Sequence, residues 1–212
     1  MTNASTRAPL GAAALALAGV FFLLFPLLRP WHDETTMAGA IAAMGSSAWV
    51  LSHYAGILAF ILVPVGLLAL RRRLTGTLGE GLARPALVLS WLGVGLILPY
   101  FGAETFGLNA VARHAAVEPS VDLLAVAEAV RLGPVAAISF VLGLILVAVA
   151  GVQTALAIRR SAVLPRGSGW LFAVGLALYL PQFFGTPALR IGHGVLLAVG
   201  CLWLAWAMRR AE

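Results

Sequence analysis

PVAAISFVLGLILVAVAGVQTALAI, residues 134–158, runs from Pro134 to Ile158 without a charged side chain and is closed by Arg159-Arg160. Its polar residues, Ser139, Gln153 and Thr154, leave no wet face at helical spacing. A helix that is apolar all round belongs in a large core or in lipid. A hydrocarbon layer about 30 Å thick takes about 20 helical residues to cross, and this stretch is long enough.

Five further segments have the same character: Leu10–Arg29, Trp49–Leu70, Pro85–Ala103, Gly169–Phe184 and Leu189–Met208. The segment at Gly169 is short and ends in Tyr179-Leu180-Pro181-Gln182, which predicts a break or a tilt near its end. Gly185-Thr186-Pro187-Ala188 then makes a tight turn, so the last two segments are antiparallel neighbours. Pro26, Pro64 and Pro99 fall inside the first three spans and are expected to kink them. The expected fold is all-α, a polytopic six-helix transmembrane bundle forming one domain over residues 1–212, with short outer amphipathic segments. Composition agrees: 61% of residues are hydrophobic and 10% charged, against about 45–50% and 25% in soluble domains.

All 14 basic residues are Arg, and their positions orient the chain. Arg7, Arg71, Arg72, Arg73, Arg84, Arg159, Arg160, Arg166, Arg209 and Arg210 fall on one side, and Arg29, Arg113, Arg131 and Arg190 on the other. Positive charge marks the cytoplasmic face, which places both termini inside. Most acidic residues lie outside, with Glu80 and Glu212 inside. The complete use of Arg in place of Lys, with abundant Ala, Gly, Leu and Val, points to a bacterial plasma membrane. Basic residues spread over helix ends argue against a nucleic-acid partner. The Leu10–Leu28 run is longer than a signal-peptide core and is read as a retained helix. The single Cys201 excludes an intrachain disulfide and a Cys-based metal site.

Two outer connections are longer than turns. Pro30–Ala48 carries Met37, Ile41 and Met44 as a helical stripe, with Thr35 or Thr36 as cap. Glu104–Gly133 carries a second candidate, Val121–Leu132, with Ser120 as N-cap and Gly133 as the stop. Close helix packing is expected along Ser139, Gly143, Gly151 and Ala155, and along Gly194 and Ala198, since small residues let backbones approach in lipid.

Chemistry is expected in the outer stratum. His32, His53, His114 and His193 all lie toward that side, together with Glu104, Arg190, Gln182, Asn109, Tyr54 and Tyr100. Ionisable residues at membrane depth are costly and usually face the interior or a wet cavity. The candidate ligand-binding set is therefore Glu104, His53, His193, Arg190, Tyr100, Gln182 and Asn109, with Glu104 pairing with Arg190 or Arg113. His53 and His193 are expected to approach each other across a contact between the second and sixth spans. Interfacial anchoring competes as an explanation for these groups.

No H-x-x-x-H or H-E-x-x-H pairing, nucleophile elbow or phosphate loop is present. No catalytic residue is therefore identified, and no cofactor or metal is expected; haem or a metal at His53 and His193 is the weaker alternative. The leading reading is a membrane protein binding a small ligand or lipid near the outer leaflet, as a transporter or an accessory subunit. The alternatives are a membrane oxidoreductase or metalloenzyme using His53 and His193, and a non-catalytic interaction subunit of a membrane complex.

Ala127-Glu-Ala-Val-Arg131-Leu-Gly-Pro134, Arg159-Arg160-Ser161-Ala-Val-Leu-Pro165, Gly169-Trp170-Leu and Leu202-Trp-Leu-Ala-Trp206 together resemble small bacterial multi-pass proteins of unknown function. The resemblance covers the C-terminal half, implies six helices, and carries no site residue.

The Arg distribution predicts that alkaline phosphatase fused after Gly45 or Glu118 is active, whereas fusions after Gly79 or Ser161 are silent. Activity at either of the last two positions would reverse the orientation.

Overall fold

The computed structural model describes residues 7–210, with side-chain surroundings from Leu10 onward; Glu212, one of the two inner acids, lies outside the described residues. The described chain is helical throughout, without strands, and five helices are long and apolar enough to cross a membrane. Helix α1 spans Arg7–Leu28, α3 Ser47–Arg73, α4 Glu80–Gly102, α7 Pro134–Ser161 and α9 Pro187–Arg210. Between them stand the short helices α2 (Met37–Met44), α5 (Asn109–Ala115), α6 (Leu123–Leu132) and α8 (Trp170–Ala177).

The expected fifth span does not form a continuous helix. Only α8 is regular; the chain then unwinds and makes one 3₁₀ turn at Pro181–Phe184. Pro181 lacks an amide hydrogen, and Gly185 is extended (φ −88°, ψ 161°), so the helix has nothing to propagate through. The segment nonetheless runs antiparallel to α7 along its length. Gly169 lies against Ala155, Leu176 against Gly151, and Phe183 against Phe140.

The third expected span errs the other way. Its helix does not stop at Ala103 but continues through a π-turn, Ala103–Leu108, into α5. Thr105 Oγ1 donates to the Phe101 carbonyl (2.5 Å), satisfying an acceptor in the altered ladder.

The five long helices and the shorter α8 close into a ring in the order α1, α3, α4, α7, α8, α9 and back to α1. Small residues set the closest seams. Gly93 and Gly143 face each other's carbonyl oxygens between α4 and α7, Gly66 receives Leu15 between α3 and α1, and Gly194 sits against Pro26 between α9 and α1. The expected row on α7 is therefore split, with Gly143 toward α4 and Gly151 toward α8. Inside the ring an aromatic column fills the core. Phe60 meets Phe22 (5.2 Å between centroids), Tyr179 (4.9 Å) and Phe101 (5.7 Å), edge-on or tilted.

Helices α2, α5 and α6 form a cap over one end of the bundle, the end expected to lie outside, with a small core of Ala40, Met44, Trp49, Leu108, Ala112 and Leu123. Thr36 caps α2 as expected. The N-cap of α6 is Asp122, not Ser120, because the Asp122 carboxylate accepts from the Ala125 amide and the helix begins at Leu123.

A Cβ at Gly93 would lie 2.7 Å from the Gly143 carbonyl oxygen, whereas Gly95 faces open space. Gly93→Val is expected to destabilise the protein by about 2 kcal/mol through overpacking. Gly95→Val is expected to leave thermal unfolding in detergent near that of the parent protein. Equal melting temperatures for the two variants would refute the seam.

Candidate functional site

The capped end gathers four charged side chains and one histidine in a chain of contacts. Arg29, at the end of α1, places one terminal nitrogen 3.0 Å from His53 Nε2 and donates with the other to Glu34 Oε1 at 2.6 Å. Glu34 Oε2 accepts from Arg131 at 2.9 Å. Arg131 also grips Glu104 with two bonds, Nε to Oε1 (2.6 Å) and a terminal nitrogen to Oε2 (3.1 Å). This paired geometry suits a planar guanidinium. Burial disfavours the charge on Arg131, but the carboxylates of Glu104 and Glu34 more than offset it and raise its pKa above the ordinary value.

Local structure explains how these groups meet. The C-terminal turn of α1 leaves carbonyls without helical donors. Ser52 Oγ donates to the Phe25 carbonyl (2.7 Å) and Trp31 Nε1 to that of Pro26 (3.2 Å), which fixes the exit toward Arg29. Trp49 Nε1 donates to the Glu104 carbonyl within the π-turn (2.7 Å), and the Arg29 guanidinium lies 4.5 Å from the Trp49 ring. The buried Glu104 carboxylate is thus presented by an irregular helical turn held in place by Trp49.

His53 is 3% exposed and both its ring nitrogens are occupied. Nδ1 lies 2.9 Å from the Trp49 carbonyl, an acceptor, so Nδ1 carries the hydrogen. Nε2 then accepts from Arg29, which can only donate, and the ring is a neutral imidazole.

Beside this chain lies a cavity of about 490 Å³. Arg29, Glu34, His53, Glu104, Arg131 and Arg190 supply its polar wall. Phe25, Phe101 and Phe140 lie on the core side, and Leu132, Ala137, Val141, Leu180, Phe183 and Phe184 complete the apolar lining. Tyr100 lines it as well, stacked on Phe140 at 4.1 Å between centroids.

Four of the seven expected site residues, Glu104, His53, Arg190 and Tyr100, meet in this cavity. Gln182 stands behind it, accepting from Arg190 Nε at 3.2 Å. Asn109 does something else: its amide donates to the Met44 (2.7 Å) and Ser46 (3.3 Å) carbonyls and ties α5 to the end of α2. His193 is also elsewhere. Because the Tyr179 amide bonds to Leu176, the Gly175 carbonyl has lost its helical donor, and His193 Nε2 supplies one at 2.7 Å. The expected approach of His53 and His193 does not occur. Helix α1 packs against both α3 and α9, and His53 contacts Phe25, Trp49 and Phe101 while His193 contacts Tyr179. Among the described residues no group of three or more His, Cys, Asp or Glu could hold a metal.

The expected partner of Glu104 also changes, from Arg190 or Arg113 to Arg131. Arg29, Glu34 and Arg131 were missed as site residues. The available signal was topological: these Arg residues lie on the side where Arg is scarce. No protein-family model, curated protein or solved structure matches the chain.

Removal of the two partners should have unequal effects. Glu104→Gln leaves Arg131 with Glu34, whereas Arg131→Gln leaves the Glu104 carboxylate buried with no other cation bonded to it among the described residues. Arg131→Gln is expected to cost roughly 3 kcal/mol, the lower end for a broken buried pair because Arg131 keeps some solvent contact. Glu104→Gln should cost less, and the double variant should recover part of the Arg131→Gln loss. Thermal unfolding of the three variants measures this, and equal single-variant losses would contradict the pairing.

Proposed function

We propose that the protein is a six-pass protein of a bacterial plasma membrane, both termini cytoplasmic, that binds a small ligand or lipid in the outer-end cavity as a transporter or accessory subunit. The observation carrying this reading is the cavity itself, which joins a charged wall to an apolar lining. Its size falls within the roughly 300–1,000 Å³ of small-molecule sites.

Two backbone features support the same location. The π-turn at Glu104 is of the kind often found at functional sites. The interrupted segment 170–184, taken as the fifth of the six crossings, brings Leu180, Phe183 and Phe184 to the cavity. Discontinuous helices at binding sites are a recurring feature of membrane transporters, where unwound backbone lines the ligand space. The two histidines of the redox alternative lack a common space, so the binding reading stands ahead of it.

Native mass spectrometry of protein extracted from its own membrane tests the proposal. A non-covalent adduct is expected on the parent protein. Ala137→Trp, which inserts an indole into the cavity lining, should lose the adduct while its melting temperature stays within a few degrees. An adduct retained equally by both proteins would place the ligand outside the cavity.

A further inference from the structure

The charges at the cavity do not balance. Three guanidiniums, Arg29, Arg131 and Arg190, face two carboxylates, Glu34 and Glu104, and His53 is neutral by its hydrogen bonds. Both carboxylates are already committed, Glu34 bridging Arg29 and Arg131, and Glu104 held by Arg131. The unmatched charge belongs to Arg190, which has no carboxylate partner among the described residues.

Arg190 is nevertheless held in place. Its Nε donates to the neutral Gln182 side chain, and its guanidinium lies 5.0 Å from the Trp31 ring and 5.1 Å from the Phe183 ring. These contacts fix the plane of the group and leave its terminal nitrogens without an anion. A planar guanidinium with its end free is suited to a carboxylate or phosphate, which it binds with two parallel bonds. Donors are in local surplus as well, since Arg29 Nε is buried without an acceptor.

The other side of the cavity is not built for water. Leu132 is 68% exposed and Phe184 88% exposed, with Val141 beside them at 36%. In a membrane-spanning bundle such exposed apolar side chains meet lipid, so the rim of the cavity at Leu132, Val141 and Phe184 faces acyl chains. Small hydrophilic anions have no apolar surface to bury there.

From these features we infer that the cavity takes an anionic amphiphile, its carboxylate or phosphate head on Arg190 and its hydrocarbon tail leaving past the rim at Leu132, Val141 and Phe184. This rests on the proposal that the cavity is a ligand site and adds its ligand class. Fatty carboxylates and anionic phospholipids share the required chemistry, and competition separates the two.

The test is binding of radiolabelled oleate to the purified protein in a neutral detergent, with unlabelled competitors. Saturable binding is expected, abolished by Ala137→Trp. Oleyl alcohol should compete at least about tenfold more weakly than oleate, the minimum for losing a charge-assisted pair. Arg190→Gln should weaken oleate by a similar factor and erase the preference over the alcohol, with Arg190→Lys intermediate. If Arg190→Gln does not fold, the oleate-to-alcohol ratio of the parent protein still decides the question. Competition by phosphatidylglycerol stronger than by oleate assigns a phospholipid headgroup; the reverse order assigns a free fatty carboxylate. Oleyl alcohol competing as well as oleate overturns the charge inference while leaving the cavity as a ligand site. Acetate or inorganic phosphate competing as well as oleate overturns the tail. No saturable binding of oleate or phosphatidylglycerol overturns this ligand class while the native adduct still tests the cavity; binding that Ala137→Trp does not disturb removes the cavity reading together with this one.

Discussion

A guanidinium cannot be left alone in hydrocarbon, and that constraint organises the capped end of this bundle. Arg29 ends α1, Arg131 ends α6, and Arg190 begins α9, so three separate stretches of chain deliver cations to one stratum. Two carboxylates bind Arg29 and Arg131 together. Glu34 comes from the loop after α1 and Glu104 from the π-turn, and Arg131 holds both. The cap helix α6 is thereby fastened to α4 and to the loop that follows α1. Lifting the cap would separate charges in a region with little water to receive them. Such pairs add little net stability over apolar packing, because desolvation offsets most of their attraction, but they are costly to break singly. Their effect here is to fix one arrangement of the cap.

The interruption after α8 follows from the same shortage of water. A continuous helix satisfies its own carbonyls, and a broken one must find donors nearby. The lost helical bond at Gly175 is replaced by His193 Nε2. Beyond it, amides within the turn satisfy the Leu178, Leu180 and Gln182 carbonyls. One of the two histidines expected at the site is thus a local repair of the backbone. Its service frees the chain from 178 to 184 to depart from helical geometry and to bring Phe183 and Phe184 to the cavity rather than stacking them along a helix face.

Much of this was legible in the sequence because lipid imposes length and polarity on every crossing. The spans that begin at Leu10, Trp49, Pro134 and Leu189 were read to within a few residues, and Pro181 announced the break. Depth was legible too: Glu104, His53, Arg190 and Tyr100 were placed in one stratum and do share one cavity. Rotation about the helix axes was not legible. With apolar residues all round α1, α3, α4, α7 and α9, no polar face declares which neighbour each side meets. Hence α1 came to pack against both α3, which carries His53, and α9, which carries His193, and Glu104 found Arg131, 27 residues away in sequence. The π-turn compounds the problem, because it rotates Glu104 relative to the register counted along α4.

Topology and chemistry use the same residue in this protein, which makes the exceptions to one a guide to the other. In the proposed orientation, Arg on the cytoplasmic side is explained by topology alone and says nothing more. Arg on the outer side gains nothing from that rule and needs another reason to be present. Of the four such residues, Arg113 is exposed on α5, where solvation suffices. The other three converge on one cavity, two neutralised by carboxylates and one held by aromatic rings and a neutral amide. Had structure been the whole purpose, a third acid or a neutral residue at position 190 would have closed the set at lower electrostatic cost. A cation positioned on three sides and unpaired on the fourth retains its charge for something that arrives, and the apolar mouth beside it determines that the visitor comes from the lipid.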